Sequence, residues 1–187
     1  MGKRTAISSL GILLSGLILL VRPKKAQAPS SGNDEECYPG TAIAIQPGDL
    51  LFSPIGKRDS KYVGHVGMVD HHRNIVHSIP AGLVHDTIAD FFRKFRAITI
   101  YAPKNIEMGK RAADYLEDLY TTYPHTEYRV FTPLKHMPNA QYCTKIVWQC
   151  YYYGAHVNLG RLMGQARAIH PVFLKDGRFL HRKGRRL

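Results

Sequence analysis

The sequence predicts an α+β domain, a central antiparallel sheet of short strands packed against helices. Three observations carry this. Short runs of β-forming residues are set off by turn residues, and two of them, Tyr62–Asp70 and Ile75–Ile79, flank the polar tetrad His71-His-Arg-Asn74 as the arms of a hairpin. The segment Asn105–Thr122 alternates apolar and charged residues at helical spacing. A second helical stripe, Cys143, Ile146, Val147, Cys150 and Tyr151, follows the i, i+3, i+4, i+7, i+8 pattern of one buried face. The 187 residues fit one domain of ordinary size behind an N-terminal extension.

Residues 1–28 read as an export signal. Lys3 and Arg4 precede the uncharged run Thr5–Val21, and Ala26-Gln27-Ala28 supplies a small-residue cleavage site. An uncleaved membrane anchor is the competing reading, because the run has 17 residues, the lower limit of a spanning helix. Either way the main domain is expected outside the cytoplasm, secreted or in the cell envelope. Residues 29–40 read as a flexible leader, 41–180 as the folded domain and 181–187 as a basic tail. The formal charge of +12 falls to about +7 without Lys3, Arg4, Arg22, Lys24 and Lys25. Such a tail suits anionic cell-wall polymer or lipid headgroups. In an exported protein no nucleic acid is expected.

Taken in order, Gln46-Pro-Gly-Asp49 is a turn and Leu50-Leu-Phe-Ser53 a buried strand. Alternate residues of a strand share a face, so an odd-numbered loop centred on His71 sets His65 directly opposite His77. An even loop separates them. Gly64 and Gly67 leave room beside His65. Thr87–Phe95 forms a short helix capped by Thr87, and Ala97–Tyr101 a further strand. Tyr128–Phe131 is a weak strand, and Asn139 is the expected N-cap of the cysteine helix. Val172-Phe-Leu174 and Arg178-Phe-Leu180 suggest a terminal hairpin about Asp176-Gly177. The loops 54–61, 80–86 and 121–138 are expected to set specificity.

The three cysteines, Cys37, Cys143 and Cys150, are too few for a disulfide scaffold, and Cys37 could pair with Cys150. A cysteine at a helix start lies in the positive field of the helix, which favours thiolate. By itself Cys143 reads more readily as a buried structural thiol. A thiolate nucleophile also needs a base and a group that orients the base. His65, His77 and Cys143 offer these parts in chain order. A metal site from His71, His72, His77 and His85 has no recognised spacing, so neither metal nor cofactor is expected.

The motifs Pro47-Gly-Asp-Leu-Leu-Phe52, Gly64-His-Val-Gly-Met-Val69 and Tyr142-Cys-Thr-Lys-Ile-Val-Trp148 resemble the circularly permuted branch of the NlpC-type papain-like cysteine hydrolases, the YiiX-like or YebB-like group. The likeness spans residues 47–150. It implies a permuted papain-like fold with Cys143 as nucleophile, His65 as general base and His77 as orienter, where the family often has glutamate. The chain departs from the family's Cys-Ser-Glu-Leu with Cys143-Thr-Lys-Ile146. The backbone N–H of Cys143 is the expected oxyanion donor, with Tyr142 as a second. The expected function is an exported cysteine hydrolase of amide bonds, peptide or isopeptide, in cell-wall peptidoglycan. The alternatives are an amidase, esterase or acyltransferase on lipid-like acyl groups, and a non-catalytic binding module of the same fold. Lecithin-retinol acyltransferase relatives carry an Asn-Cys-Glu-His-Phe motif that is absent here.

Overall fold

A glycine-tight turn leads into the first strand of the main sheet. Gly48 adopts φ +85°, open to glycine at little cost, and a Cβ there would lie 2.5 Å from the Cα of Gly109. Asp49, the next residue, is fully buried and accepts from the Tyr38 hydroxyl at 2.8 Å and the Lys183 ammonium at 3.0 Å. Burial raises the Asp49 carboxyl above its usual range, and Lys183 and Tyr38 work against that. The computed structural model describes residues 36–54, 64–135 and 138–187. The expected signal at 1–28, the anchor alternative, most of the leader and most of loop 54–61 lie outside these.

Six antiparallel strands form the main sheet, in the order β4-β3-β2-β1-β5-β8. They are β1 (Leu50–Ser53), β2 (His65–Val69), β3 (Asn74–Ile79), β4 (Gly82–Thr87), β5 (Thr99–Pro103) and β8 (Leu180–Gly184). A small parallel pair, β6 (Glu127–Tyr128) and β7 (Ala140–Gln141), stands apart. Helix α1 (Ile88–Lys94) starts at Thr87, whose hydroxyl accepts the Asp90 N–H at 3.1 Å, as the sequence predicts. Helix α2 (Ile106–Thr122) is capped by Asn105, and its apolar stripe, Met108, Ala112, Ala113, Leu116 and Leu119, is buried.

The period of two along the strands divides the core. Leu51, Val69, Ile75 and Ile100 point toward Tyr38, Phe91 and Ile98 on the α1 side. Leu50, Phe52, Val66, Met68 and Val76 point toward α2 and α3 (Cys143–Gln149). Every side chain of α3 is buried, including Lys145, which donates to the Ala140 carbonyl at 2.7 Å. The stripe from Cys143 to Tyr151 is apolar and buried as expected, though the last turn, Cys150–Gly154, winds as a π-helix.

Several boundaries differ from the sequence reading. The leader is already packed at its end: Tyr38 is buried and Cys37 bridges to Ala44, so structure begins before Thr41. Residues 181–187 are no tail. Most of them belong to edge strand β8, and Leu187 exchanges backbone hydrogen bonds with Ile98. Lys and Arg on an edge strand discourage pairing with other chains, which is why a strand here reads as a solvated tail. The terminal hairpin does not form, since Pro171–Leu174 is a 3-10 turn and β8 pairs with β5. Much of loop 80–86 is strand β4. All three cysteines are free, with Cys150 wholly buried among the α2 and α3 side chains.

Candidate active site

The hairpin of β2 and β3 pairs Met68 with Val76 and Val69 with Ile75, so it is centred on His72 and not on His71. The tip takes Arg73 into φ 63°. The loop is still odd, so His65 and His77 share a face, but they meet diagonally. The residue opposite His77 in this register is Gly67. A Cβ on Gly67 would strike Ile75 at 2.4 Å and Phe91 at 3.0 Å, so its glycine lets α1 close onto the two imidazoles.

There the histidines form a relay. His65 Nε2 lies 2.8 Å from His77 Nδ1, and His77 Nε2 lies 2.9 Å from Asp86 Oδ2. The other Asp86 oxygen accepts from the Lys94 ammonium at 2.6 Å. These contacts assign the tautomers. An ionised carboxylate only accepts, so His77 donates from Nε2, which leaves its Nδ1 to accept from His65 Nε2–H. The atom of His65 left with an open lone pair is Nδ1. Aromatic walls hold both rings: Phe95 stacks on His65 at 4.5 Å with an interplanar angle of 6°, and Phe91 stands edge-on to His77 at 5.2 Å.

Burial, then the charge on His77, pushes His65 down to about 3, with Asp86 pulling the other way. Burial also lowers His77, against its hydrogen bond to Asp86. For Asp86 burial acts upward, but the hydrogen bonds from Lys94 and His77 overcome it and hold the carboxyl below its usual range. At neutral pH the relay is therefore two neutral imidazoles ending on a carboxylate paired with Lys94.

Cys143 sits across β2 from this relay. It opens α3, so its own N–H belongs to the turn that lacks intrahelical acceptors. The residue before it, Tyr142, occupies the N-cap without a side-chain capping bond, whereas Asn139, the expected cap, precedes β7. The Val66 N–H, in the peptide that follows His65, favours the thiolate, and the Thr144 hydroxyl lies 3.9 Å from the sulfur. No hydrogen bond joins it to His65 or His77 among the described residues. Contrary to the expectation from the helix field, burial raises the thiol above its ordinary value, and the Val66 and Thr144 contacts only oppose this. The resting nucleophile candidate is a neutral, nearly buried thiol.

Two tyrosines share its surroundings. The Tyr142 hydroxyl accepts the Ile169 N–H at 3.3 Å, and its pKa is pushed up to about 12, by burial first and by nearby Cys143 as well. Tyr128, read in the sequence only as a strand residue, is likewise raised by burial and by Cys143. The sequence reading also missed Asp86 and Lys94. Asp86 ends the run Gly82-Leu-Val-His-Asp86 behind a Pro80-Ala-Gly82 turn, which is a strand signal on inspection. The remaining histidines serve elsewhere: His71 pairs with Asp114 at 2.7 Å on the surface, and His85 lies on the ring of Tyr120 at 3.8 Å.

No family model and no curated protein matches this sequence. Among solved structures the fold is similar to that of the metalloprotein yiiX from Escherichia coli O157:H7, DUF1105, with a TM-score of 0.56 and 13% identity. The match covers 75% of this chain and 97% of that one. The two thus share an α+β fold built on an antiparallel sheet with packed helices.

Proposed function

We propose that this protein is an exported cysteine hydrolase with a permuted papain-like site, cleaving amide bonds of cell-wall peptide. The observation that carries the proposal is the hydrogen-bonded series His65–His77–Asp86, which fixes the tautomer of an imidazole on β2, the strand on which the Cys143 helix packs. His65 Nδ1 takes the thiol proton as the sulfur attacks the scissile carbonyl. The backbone N–H of Cys143 donates to the oxyanion, and the Tyr142 hydroxyl is the second donor. His65 then protonates the leaving amine. Water resolves the thioester with the same imidazole as base, which returns the thiol. His77 and Asp86 hold the ring and stabilise its cation. The resting protein lacks one contact, between Sγ and His65 Nδ1, and the reading requires a conformation, populated before substrate binds, in which the two meet.

The yiiX structure is described as a metalloprotein. In this chain the relay nitrogens and carboxylate oxygens, apart from His65 Nδ1, are committed to one another and to Lys94. No three His, Cys, Asp or Glu side chains among the described residues are placed to hold a metal ion. No step is therefore routed through a metal.

A second reading, hydrolysis or transfer of lipid-like acyl groups, is favoured by the exposure of Val172 and Phe173, 49% and 57%, beside the cavity that His65 lines. Purified peptidoglycan and phospholipid vesicles, incubated with wild type, Cys143→Ala and His65→Ala, separate the readings. The proposal expects soluble peptide from peptidoglycan with wild type only. Turnover kept by Cys143→Ala overturns it, and lipid turnover alone selects the second reading.

A further inference from the structure

His65 lines a cavity of about 340 Å³, together with Phe52, Thr99, His170, Lys175 and Arg186 among others. Its charged and titratable lining is entirely basic: His65, His170, Lys175 and Arg186, with no acidic side chain among the described residues. Each of these groups is fixed by local structure. His170 caps the 3-10 turn Pro171–Leu174, accepting the Val172 N–H on Nδ1 at 3.1 Å, which turns its other ring edge toward Gly64. Lys175 ends that turn, and its ammonium rests 4.8 Å from the centre of the Phe52 ring and 5.6 Å from that of Tyr101. The mutual backbone bonds of Leu187 and Ile98 hold Arg186 at the rim.

Lys175 has no carboxylate partner among the described residues. The adjacent Asp176 is taken by Arg178 and by the Gly160 N–H at 2.9 Å. A partly desolvated ammonium held against ring faces keeps some attraction from them, and among the described residues it has no counter-charge. Burial lowers its pKa accordingly. The aromatic face of Phe52 beside it suits a small apolar group, and the volume falls in the range of small-ligand sites.

We infer that this cavity binds a peptide through a free carboxylate, paired with Lys175 and seconded by Arg186, with the adjoining side chain against Phe52. This rests on the hydrolase reading and deepens it: the substrate would present a carboxylate close to the bond that His65 and Cys143 attack, so cleavage falls near a chain end.

Calorimetric titration of wild type and Cys143→Ala with acetyl-alanyl-alanine and with its carboxamide tests this without turnover. The acid is expected to bind at least about tenfold tighter than the amide, the gain of a charge-assisted bond. Lys175→Met, which keeps the stem on Phe52, is expected to abolish that preference with an unchanged circular dichroism spectrum. Equal binding of acid and amide, or a preference that survives in Lys175→Met, overturns the site. Binding of the acid without any peptidoglycan turnover keeps the site and sinks the hydrolase reading, so the two fail separately.

Discussion

The two faces of the sheet solve opposite problems. On the α1 face, two imidazoles, a carboxylate and an ammonium are packed among Phe91 and Phe95, and the cluster persists because its relay contacts are all made. On the α3 face the thiol stands in an apolar core with Ile146, Val147 and Trp148, where burial keeps it neutral. A single strand, β2, separates them, with His65 on one side and Val66 on the other, in the same core as the thiol. The proposed base is thus oriented by polar contacts and the proposed nucleophile by packing. Stability and activity should therefore respond differently on the two sides.

The largest stability effect belongs to the apolar face. Ile146→Ala, at a fully buried position, is expected to cost about 2–5 kcal/mol in urea denaturation. Asp86→Asn is expected to cost less, about 1–3 kcal/mol, because His77 and Lys94 keep a neutral acceptor. It should nonetheless lower turnover by roughly 10²-fold or more, since an amide can also donate and no longer dictates the His77 tautomer. Equal stability losses with equal turnover would erase the distinction between the faces.

A smaller effect is a pH dependence confined to the relay. His65 and His77 have folded pKa values below that of a free imidazole, so the unfolded chain binds protons that the folded chain refuses. Stability is then fully present above about pH 6.5 and falls as the pH drops toward the His65 value of about 3, by up to about 1.4 kcal/mol per pH unit for one group. Asp86, lowered in the fold, adds to the loss in the same direction below its ordinary range. Denaturation midpoints of wild type and His65→Leu over this interval should differ in slope, with the variant flatter. Parallel slopes would remove His65 from the account.

Much of this fold is written in local pattern. Strand β1, the cap Thr87 and the stripe of α2 follow from period, turn residues and capping chemistry, whereas the hairpin's parity, open in the sequence, is decided by its register. Other features depend on partners distant in sequence. Asp86 reads as loop because a buried carboxylate is rare without partners, and its partners, His77 and Lys94, become visible only in three dimensions. Edge strand β8 is disguised by its cations, one of which, Lys183, in fact neutralises buried Asp49. The thiol pKa is the clearest case: the position at a helix start is legible, but the depth of burial that reverses its effect is not.

The central claim, that Cys143 is a nucleophile served by His65, is tested most directly by the rate at which iodoacetamide alkylates Cys143, read by peptide mass spectrometry at neutral pH. Cys143 should react ahead of the wholly buried Cys150, and His65→Ala should slow it about tenfold or more while leaving Cys150 unchanged. An identical Cys143 rate in wild type and His65→Ala would contradict the account.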